Sequence, residues 1–307
     1  MRYCRQVPTV PEPFQRLVDD AAIFPPGNAP LPDAVAAHDG HRHCAHAELV
    51  GPFVVDDVRL PRLGELTADR AEPLPVTVVV TGGAGAIGPA ATWAARTVSL
   101  ALHGLEIALR DEADLAHNAR RVVTAIDQLV ADGVVEEDLP VYVEPPALRG
   151  REPSPTWLAA LDEVAAMDHR LKLRTGGADA DAFPSAADLA GCIGAALDRE
   201  LRFKCTAGLH NALRHRDPET GFEHHGFLNV LLATRASLDG ADAAEAAGVL
   251  ESTDHDAVRS ALRDAGDDGL VSARRWFTSF GSCSVREPLD DLAALGLLSL
   301  PTDQETR

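Results

Sequence analysis

Two residues carry the first chemical hint. Of 28 basic residues, 26 are arginine and only two, Lys172 and Lys204, are lysine. Arginine keeps its proton near neutral pH, whereas a desolvated lysine can lose it and become a nucleophile. The chain is rich in Ala, Arg, Asp and Gly, a composition in which arginine replaces lysine wherever either will serve. Two surviving lysines therefore mark positions with a task for a compact, deprotonatable amine, or a tight ion pair that arginine would overfill. An amine shielded from water and set beside other cations attacks a carbonyl and forms an imine.

Further charges share the lysines' spacing pattern. Side chains alternate between the two faces of a strand. In 170–174 the leucines take one face and Lys172 and Arg174 the other; in 203–206 Lys204 and Thr206 stand opposite Phe203 and Cys205. By the same rule Glu144 shares a face with Tyr142, and Glu106 and Arg110 lie opposite Leu105, Ile107 and Leu109. Four segments thus aim Glu106, Arg110, Glu144, Lys172, Arg174 and Lys204 at one space. Buried without partners, such charges cost several kcal/mol each (~several, by the desolvation argument), so they form either a site or a salt-bridge network such as Glu144 with Lys172. In a site, Lys204 is the preferred nucleophile over Lys172, and Glu144 or Glu106 moves protons. Arg174 and Arg110 hold an anion.

The elements that must position these groups read as repeated βα units. Strands are expected at 18–24, 49–55, 75–80, 105–110, 141–144, 170–174, 201–206 and 276–280. Between them lie helical patterns at 114–131, 156–167, 185–197 and 288–298. Eight strands with intervening helices in 307 residues predict a single (βα)8 TIM-type barrel spanning 1–307, with a doubly wound open parallel sheet as the alternative. A loop and helical segment at about 207–275, with helices from 226 and over 241–262, is expected as an insertion covering one end of the barrel. In such a barrel the chemistry sits at the strands' C-terminal ends. There the small-residue turns at Gly176, Gly177 and Gly208, with Thr206, Ser282 and Cys283, can contact a substrate anion.

Composition narrows the function classes. A net charge of -19 argues against nucleic-acid and membrane-surface binding. No apolar run approaches the ~20 residues of a membrane span, and the first residues lack the order of a signal peptide. Five scattered cysteines without a CxxC fit reduced thiols. The expected location is cytoplasmic and the expected partner a small anionic substrate, with a homo-oligomer left open.

Two other motifs carry chemical signals. Gly83-Ala84-Gly85-Ala86-Ile87-Gly88 matches the GxGxxG dinucleotide fingerprint and resembles the cofactor loop of short-chain dehydrogenases. That strand lies some 75 residues into the chain, however, and neither Tyr3 nor Tyr142 has a lysine four residues on, so a dinucleotide is not favoured. Among 12 histidines, His38, His41, His43 and His46 with Cys44 read as a solvated loop. His210, His224 and His225 are stronger candidates, and with Glu144 or Asp20 they compose an alternative divalent-metal site. Without metal, His210 is a proton shuttle. Cys283 is a possible nucleophile with no base partner identifiable from sequence.

Longer motifs carry a resemblance. Lys204-Cys205-Thr206-Ala207-Gly208-Leu209-His210, His225-Gly226-Phe227-Leu228-Asn229-Val230, Ser279-Phe280-Gly281-Ser282-Cys283-Ser284 with Glu287-Pro288, and Asp19-Asp20-Ala21-Ala22-Ile23-Phe24-Pro25-Pro26 together resemble a family of bacterial proteins with no assigned activity. The placement of Lys172 and Lys204 on consecutive late strands is also similar to deoxyribose-phosphate aldolase, a (βα)8 barrel. In that enzyme one lysine forms a Schiff base and the other tunes its pKa. The resemblance implies aldolase-like lyase or isomerase chemistry on a small anionic carbonyl compound or sugar derivative, with no cofactor. Two alternatives are a metal-dependent lyase, hydrolase or isomerase, and a barrel that binds a ligand without turning it over.

Overall fold

The computed structural model of the protein describes residues 10–110 and 113–299; Tyr3 and Cys4 lie outside them. Eight parallel strands close into a barrel: β1 (Val18–Asp20), β2 (Val50–Asp56), β3 (Leu74–Val80), β4 (Leu100–Ala108), β5 (Val141–Glu144), β6 (Arg170–Arg174), β7 (Phe203–Thr206) and β10 (Phe277–Ser282). Each pairs with its sequence neighbour in the barrel, and β10 pairs with both β7 and β1 to complete the ring. The fold is an α/β (βα)8 barrel, and the open-sheet alternative falls.

The helices alternate with the strands: α1 (Leu31–Arg42), α2 (Leu60–Leu66), α3 (Ala84–Arg96), α4 (Leu115–Ala131), α5 (Pro155–Ala165) and α6 (Ala186–Leu197). Local chemistry sets their starts. Asp114 accepts from His117 N–H at 2.8 Å at the head of α4, and Ser185 and Asp188 close a reciprocal cap on α6. The apolar stripe of α4, Leu115, Val122, Ile126 and Leu129, is buried as the helical period requires. No helix among the described residues is long and apolar enough to cross a membrane.

The inserted segment differs from expectation in two ways. It begins with a two-residue hairpin, β8 (His215–Arg216) and β9 (Glu223–His224), followed by α7 (Phe227–Leu238), α8 (Ala243–Glu251) and α9 (His255–Arg274). The helix expected over 241–262 is two helices, because Asp254 leaves the helical path and caps α9 by accepting from Asp256 and Ala257 N–H. These helices lie beside the barrel, and α9 also reaches its N-terminal end at residues 12–14. They pack in the outer layer, against α6 and β10, with Phe227 stacked on Phe280 at 5.1 Å between centroids. From the inserted segment, Ala207 and His210 line the central cavity, and the hairpin's His215 and His224 line an adjoining pocket. Helix α10 (Arg286–Ala294) follows β10.

Outward faces of the strands supply the apolar core between sheet and helices, including Phe53, Phe203, Phe277 and Phe280, all fully buried. At the strands' N-terminal end Arg274 closes the structure by donating to the carbonyls of Pro13, Gln15 and Phe277.

Candidate active site

The barrel interior carries a chain of alternating charges in place of a purely aliphatic filling. It starts at Ser279 on β10, whose hydroxyl donates to Asp19 Oδ2 at 2.9 Å. Lys204 Nζ then bridges Asp19 Oδ2 and Glu106 Oε1, each at 2.5 Å. Lys172 Nζ binds the other oxygen of Glu106 at 2.7 Å and Glu144 Oε2 at 3.2 Å. Arg174 Nε ends the chain on Glu144 Oε1 at 2.6 Å. Strand geometry explains the convergence. Lys172 and Lys204 are register partners on β6 and β7, as are Glu106 and Tyr142 on β4 and β5, so period-two alternation puts their side chains on one face.

Both lysines have a steric reason not to be arginine. Each ammonium sits between two carboxylates on different strands, a place for a compact point charge rather than a planar fork. Their surroundings then diverge. Lys204 is 1% exposed and lies over the Tyr142 ring at 5.2 Å. Burial disfavours its charge, but Asp19 and Glu106 outweigh this and hold its pKa above the usual lysine value. The expectation of a Lys204 amine with a depressed pKa, placed to attack, is therefore not met. Lys172 instead lines the central cavity.

That cavity, about 240 Å³, opens at the strands' C-terminal ends. Glu106, Lys172, Arg174, Thr206, His210 and Cys283 supply its polar lining, and Phe24, Val54 and Val79 its apolar wall. Glu106 stays ionised: burial alone would raise its pKa, but the two lysines pull it down to about 2. Burial pushes the Asp19 carboxyl up, and Lys204 and Ser279 offset this only in part. His210, from the loop after β7, binds Glu287 Oε2 through Nδ1 at 2.8 Å, and its Nε2 lies 3.7 Å from Cys283 Sγ. Burial works against its charge, yet Cys283 and Glu287 raise its pKa to about 9, so the imidazole is cationic at neutral pH.

The residues expected from sequence divide as follows. Lys172, Lys204, Glu106, Glu144 and Arg174 come together in one network, and Thr206, Gly177, His210 and Cys283 join Lys172 and Arg174 on the cavity. Arg110 does not join them. Strand β4 ends at Ala108, and Arg110 is exposed over the glycine loop that opens α3, in a separate pocket with Gly83 and Arg121. Ser282 is buried and bonds locally, donating to Ser284 O at 2.7 Å. Gly176 and Gly208 serve a close approach of two loops: a Cβ on Gly208 would stand 2.7 Å from Thr175 O, and its φ is +77°. Thr175 Oγ1 joins the same loops by donating to Ala207 O.

The alternative metal set does not assemble. His225 is fully buried away from the cavity, donating from Nε2 to Pro184 O at 2.9 Å and accepting from Arg214 at 3.4 Å. Burial, with Arg214 beside it, lowers its pKa to about 4. Asp20 faces the helix layer and accepts from His38 Nδ1 at 3.0 Å, so adjacent aspartates take opposite faces. Among the described residues no three His, Cys, Asp or Glu side chains are grouped as a metal site would require. Of the histidine loop, His38 is buried on α1 rather than solvated.

Asp19, Ser279 and Glu287 are the functional candidates that residue-by-residue reading left without a role, although all three lie within the quoted motifs. Fold and site together define a (βα)8 barrel, a fold that commonly carries enzymes, with a buried charge network open to one cavity. No protein-family model matches the chain, and no curated protein matches it.

Proposed function

We propose that the protein is a lysine-imine enzyme, a lyase of aldolase type or a related isomerase, acting on a small anionic carbonyl compound, with Lys172 as the nucleophile. The observation that carries this reading is the unequal placement of the two lysines. Lys172 opens to the cavity with a carboxylate acceptor, Glu144, 3.2 Å from its nitrogen, while Lys204 is enclosed between Asp19 and Glu106.

In the proposed sequence Lys172 gives a proton to Glu144, and its free electron pair bonds to the substrate's carbonyl carbon. The carbinolamine oxygen takes protons and leaves as water, giving an iminium. Electrons of the adjacent carbon–carbon bond flow into the iminium as the substrate's hydroxyl proton passes to a base. An aldehyde departs and an enamine remains. Protonation of the enamine and hydrolysis of the iminium return Lys172. Glu106, ionised throughout, holds both lysines in place, and Lys204 is a positioning residue. Arg174 and the His210 cation face the cavity as partners for a carboxylate or phosphate.

The test is intact-protein mass after borohydride reduction in the presence of small keto acids and sugar phosphates, followed by peptide mapping. A reduced adduct on Lys172, lost in Lys172→Arg, is expected. An adduct on Lys204 would overturn the assignment, and no adduct across the panel would remove the imine reading. Every charge in the network already has a partner, which equally suits a ligand-binding barrel. In that case the same compounds raise Tm without adduct or turnover.

A further inference from the structure

We propose that Cys283, His210 and Glu287 form a second reactive centre, in which the Cys283 sulfur adds to the carbonyl carbon of a small aldehyde held in the cavity. This goes beyond the Lys172 reading: His210 is common to both, whereas Cys283 and Glu287 have no part in the imine chemistry.

Three observations support it. The side chain of Cys283 lines the cavity, so a ligand can reach the sulfur. His210 holds Nε2 at 3.7 Å and Nδ1 at 3.8 Å from that sulfur, and Nδ1 also binds Glu287 at 2.8 Å, so thiol, imidazole and carboxylate form one group. Finally, Cys283 lies three residues before the start of α10, and Glu287 sits in that helix's first turn, so the short β10–α10 turn brings the sulfur and the carboxylate to one place. The loop is held from both sides. Ser284 Oγ accepts from Glu287 N–H at 3.2 Å, and Gly27 packs so close that a Cβ there would stand 2.9 Å from Cys283 Cβ.

No other described cysteine has this environment. Burial pushes the Cys192 thiol up to about 12 and raises that of Cys205 as well. Cys44 has an imidazole nitrogen of His46 at 3.0 Å, but burial lowers the pKa of that histidine, and no carboxylate is bonded to it. The sulfur's neighbour at 283 is instead a charged imidazole, which can hand a proton on.

The step balances within the site. A sulfur electron pair forms the S–C bond, the carbonyl π pair moves to oxygen, and the proton shared between Cys283 and His210 passes to that oxygen. The product is a thiohemiacetal, and reversal releases the aldehyde unchanged. No oxidant or reductant is needed. In an enzyme that also cleaves carbon–carbon bonds, such a sulfur would hold the departing aldehyde.

The full chain is labelled with limiting iodoacetamide, with and without glycolaldehyde, and each cysteine is read by peptide mass. Cys283 is expected to label about tenfold faster than Cys44, and His210→Gln and Glu287→Gln are each expected to slow it. Glycolaldehyde is expected to protect Cys283 in the wild type and equally in Lys172→Arg. With carbon-labelled glycolaldehyde, an NMR signal of a thiohemiacetal carbon should appear and be lost in Cys283→Ser. Equal labelling of Cys283 and Cys44, or unchanged labelling in both the His210 and Glu287 variants, would overturn the proposal. So would protection that disappears in Lys172→Arg, since the imine alone would then hold the aldehyde. Protection that persists in Lys172→Arg without any borohydride adduct on wild-type Lys172 would support this centre while the imine reading fails.

Discussion

Lys172 and Lys204 are register partners on neighbouring strands and share the two oxygens of one carboxylate, Glu106, yet only Lys172 reaches the cavity. The inequality comes from what lies beyond Glu106. On one side Asp19 completes the enclosure of Lys204; on the other Glu144 and Arg174 carry the network outward to the cavity. Four predictions follow from this arrangement and from the histidine at its rim.

Replacing Lys204 with Met should destabilise the fold while leaving the Lys172 side chain in place. Asp19 and Glu106 would lose a shared cation in a site that is almost wholly buried. Breaking a buried pair in this way costs about 3–5 kcal/mol. Urea unfolding should show the loss as a lower midpoint with an unchanged slope. A cost well under 1 kcal/mol, i.e. about that of an exposed pair, would mean that Lys204 is not structurally required.

Acid should loosen the barrel through Glu106. Its folded pKa of about 2 lies below the ordinary glutamate value of 4.5. Between these values the unfolded chain binds the proton and the folded chain does not, so the contribution is complete above pH 4.5 and is lost as pH falls toward 2. In Glu106→Gln that part of the pH dependence should vanish, on a lower stability overall. Tm measured against pH, wild type beside variant, reads both effects.

The opposite sign holds for His210. Its folded pKa of about 9 exceeds the ordinary 6.5, so the folded chain keeps a proton that the unfolded chain releases. The stabilisation is complete below pH 6.5 and declines as pH rises through 9. Glu287→Gln should flatten the decline, because it removes one of the two groups that favour the cation. NMR titration of the His210 ring locates the pKa directly, and a midpoint near 6.5 would contradict the geometry.

Arg174→Gln should raise KM for an anionic substrate by roughly ten- to a hundredfold, the worth of about one or two charge-assisted hydrogen bonds. Stability should change little, since the Arg174 side chain is 41% exposed and pairs with a single carboxylate. An unchanged KM would place the anion elsewhere on the cavity wall.

Much of this network could be read from period-two alternation. The inward placement of Lys172, Arg174, Glu144, Glu106 and Lys204 needed only the strand assignments and the rule that neighbours point opposite ways. The same rule failed at Arg110, where β4 ends at Ala108 and alternation no longer applies. It also could not choose between Asp19 and Asp20, because three residues of β1 contain too little pattern to assign a face. Gly176 and Gly208 relieve the crowding of two loops that only packing brings together, which local pattern does not show.

The pattern of residues along the chain already specifies the architecture and the supply of reactive groups. Apolar runs of strand length between helical stripes lead to a closed parallel barrel, and the rarity of lysine singled out two positions. The tertiary structure alone decided which lysine is accessible, because that depends on Asp19 from the first strand closing over Lys204 from the seventh. It alone brought His210 to Cys283 and Glu287, which lie 73 and 77 residues further along the chain. Local periodicity specifies a side chain's face over a few residues. Which groups meet on that face depends on ring closure, which joins strands from opposite ends of the chain.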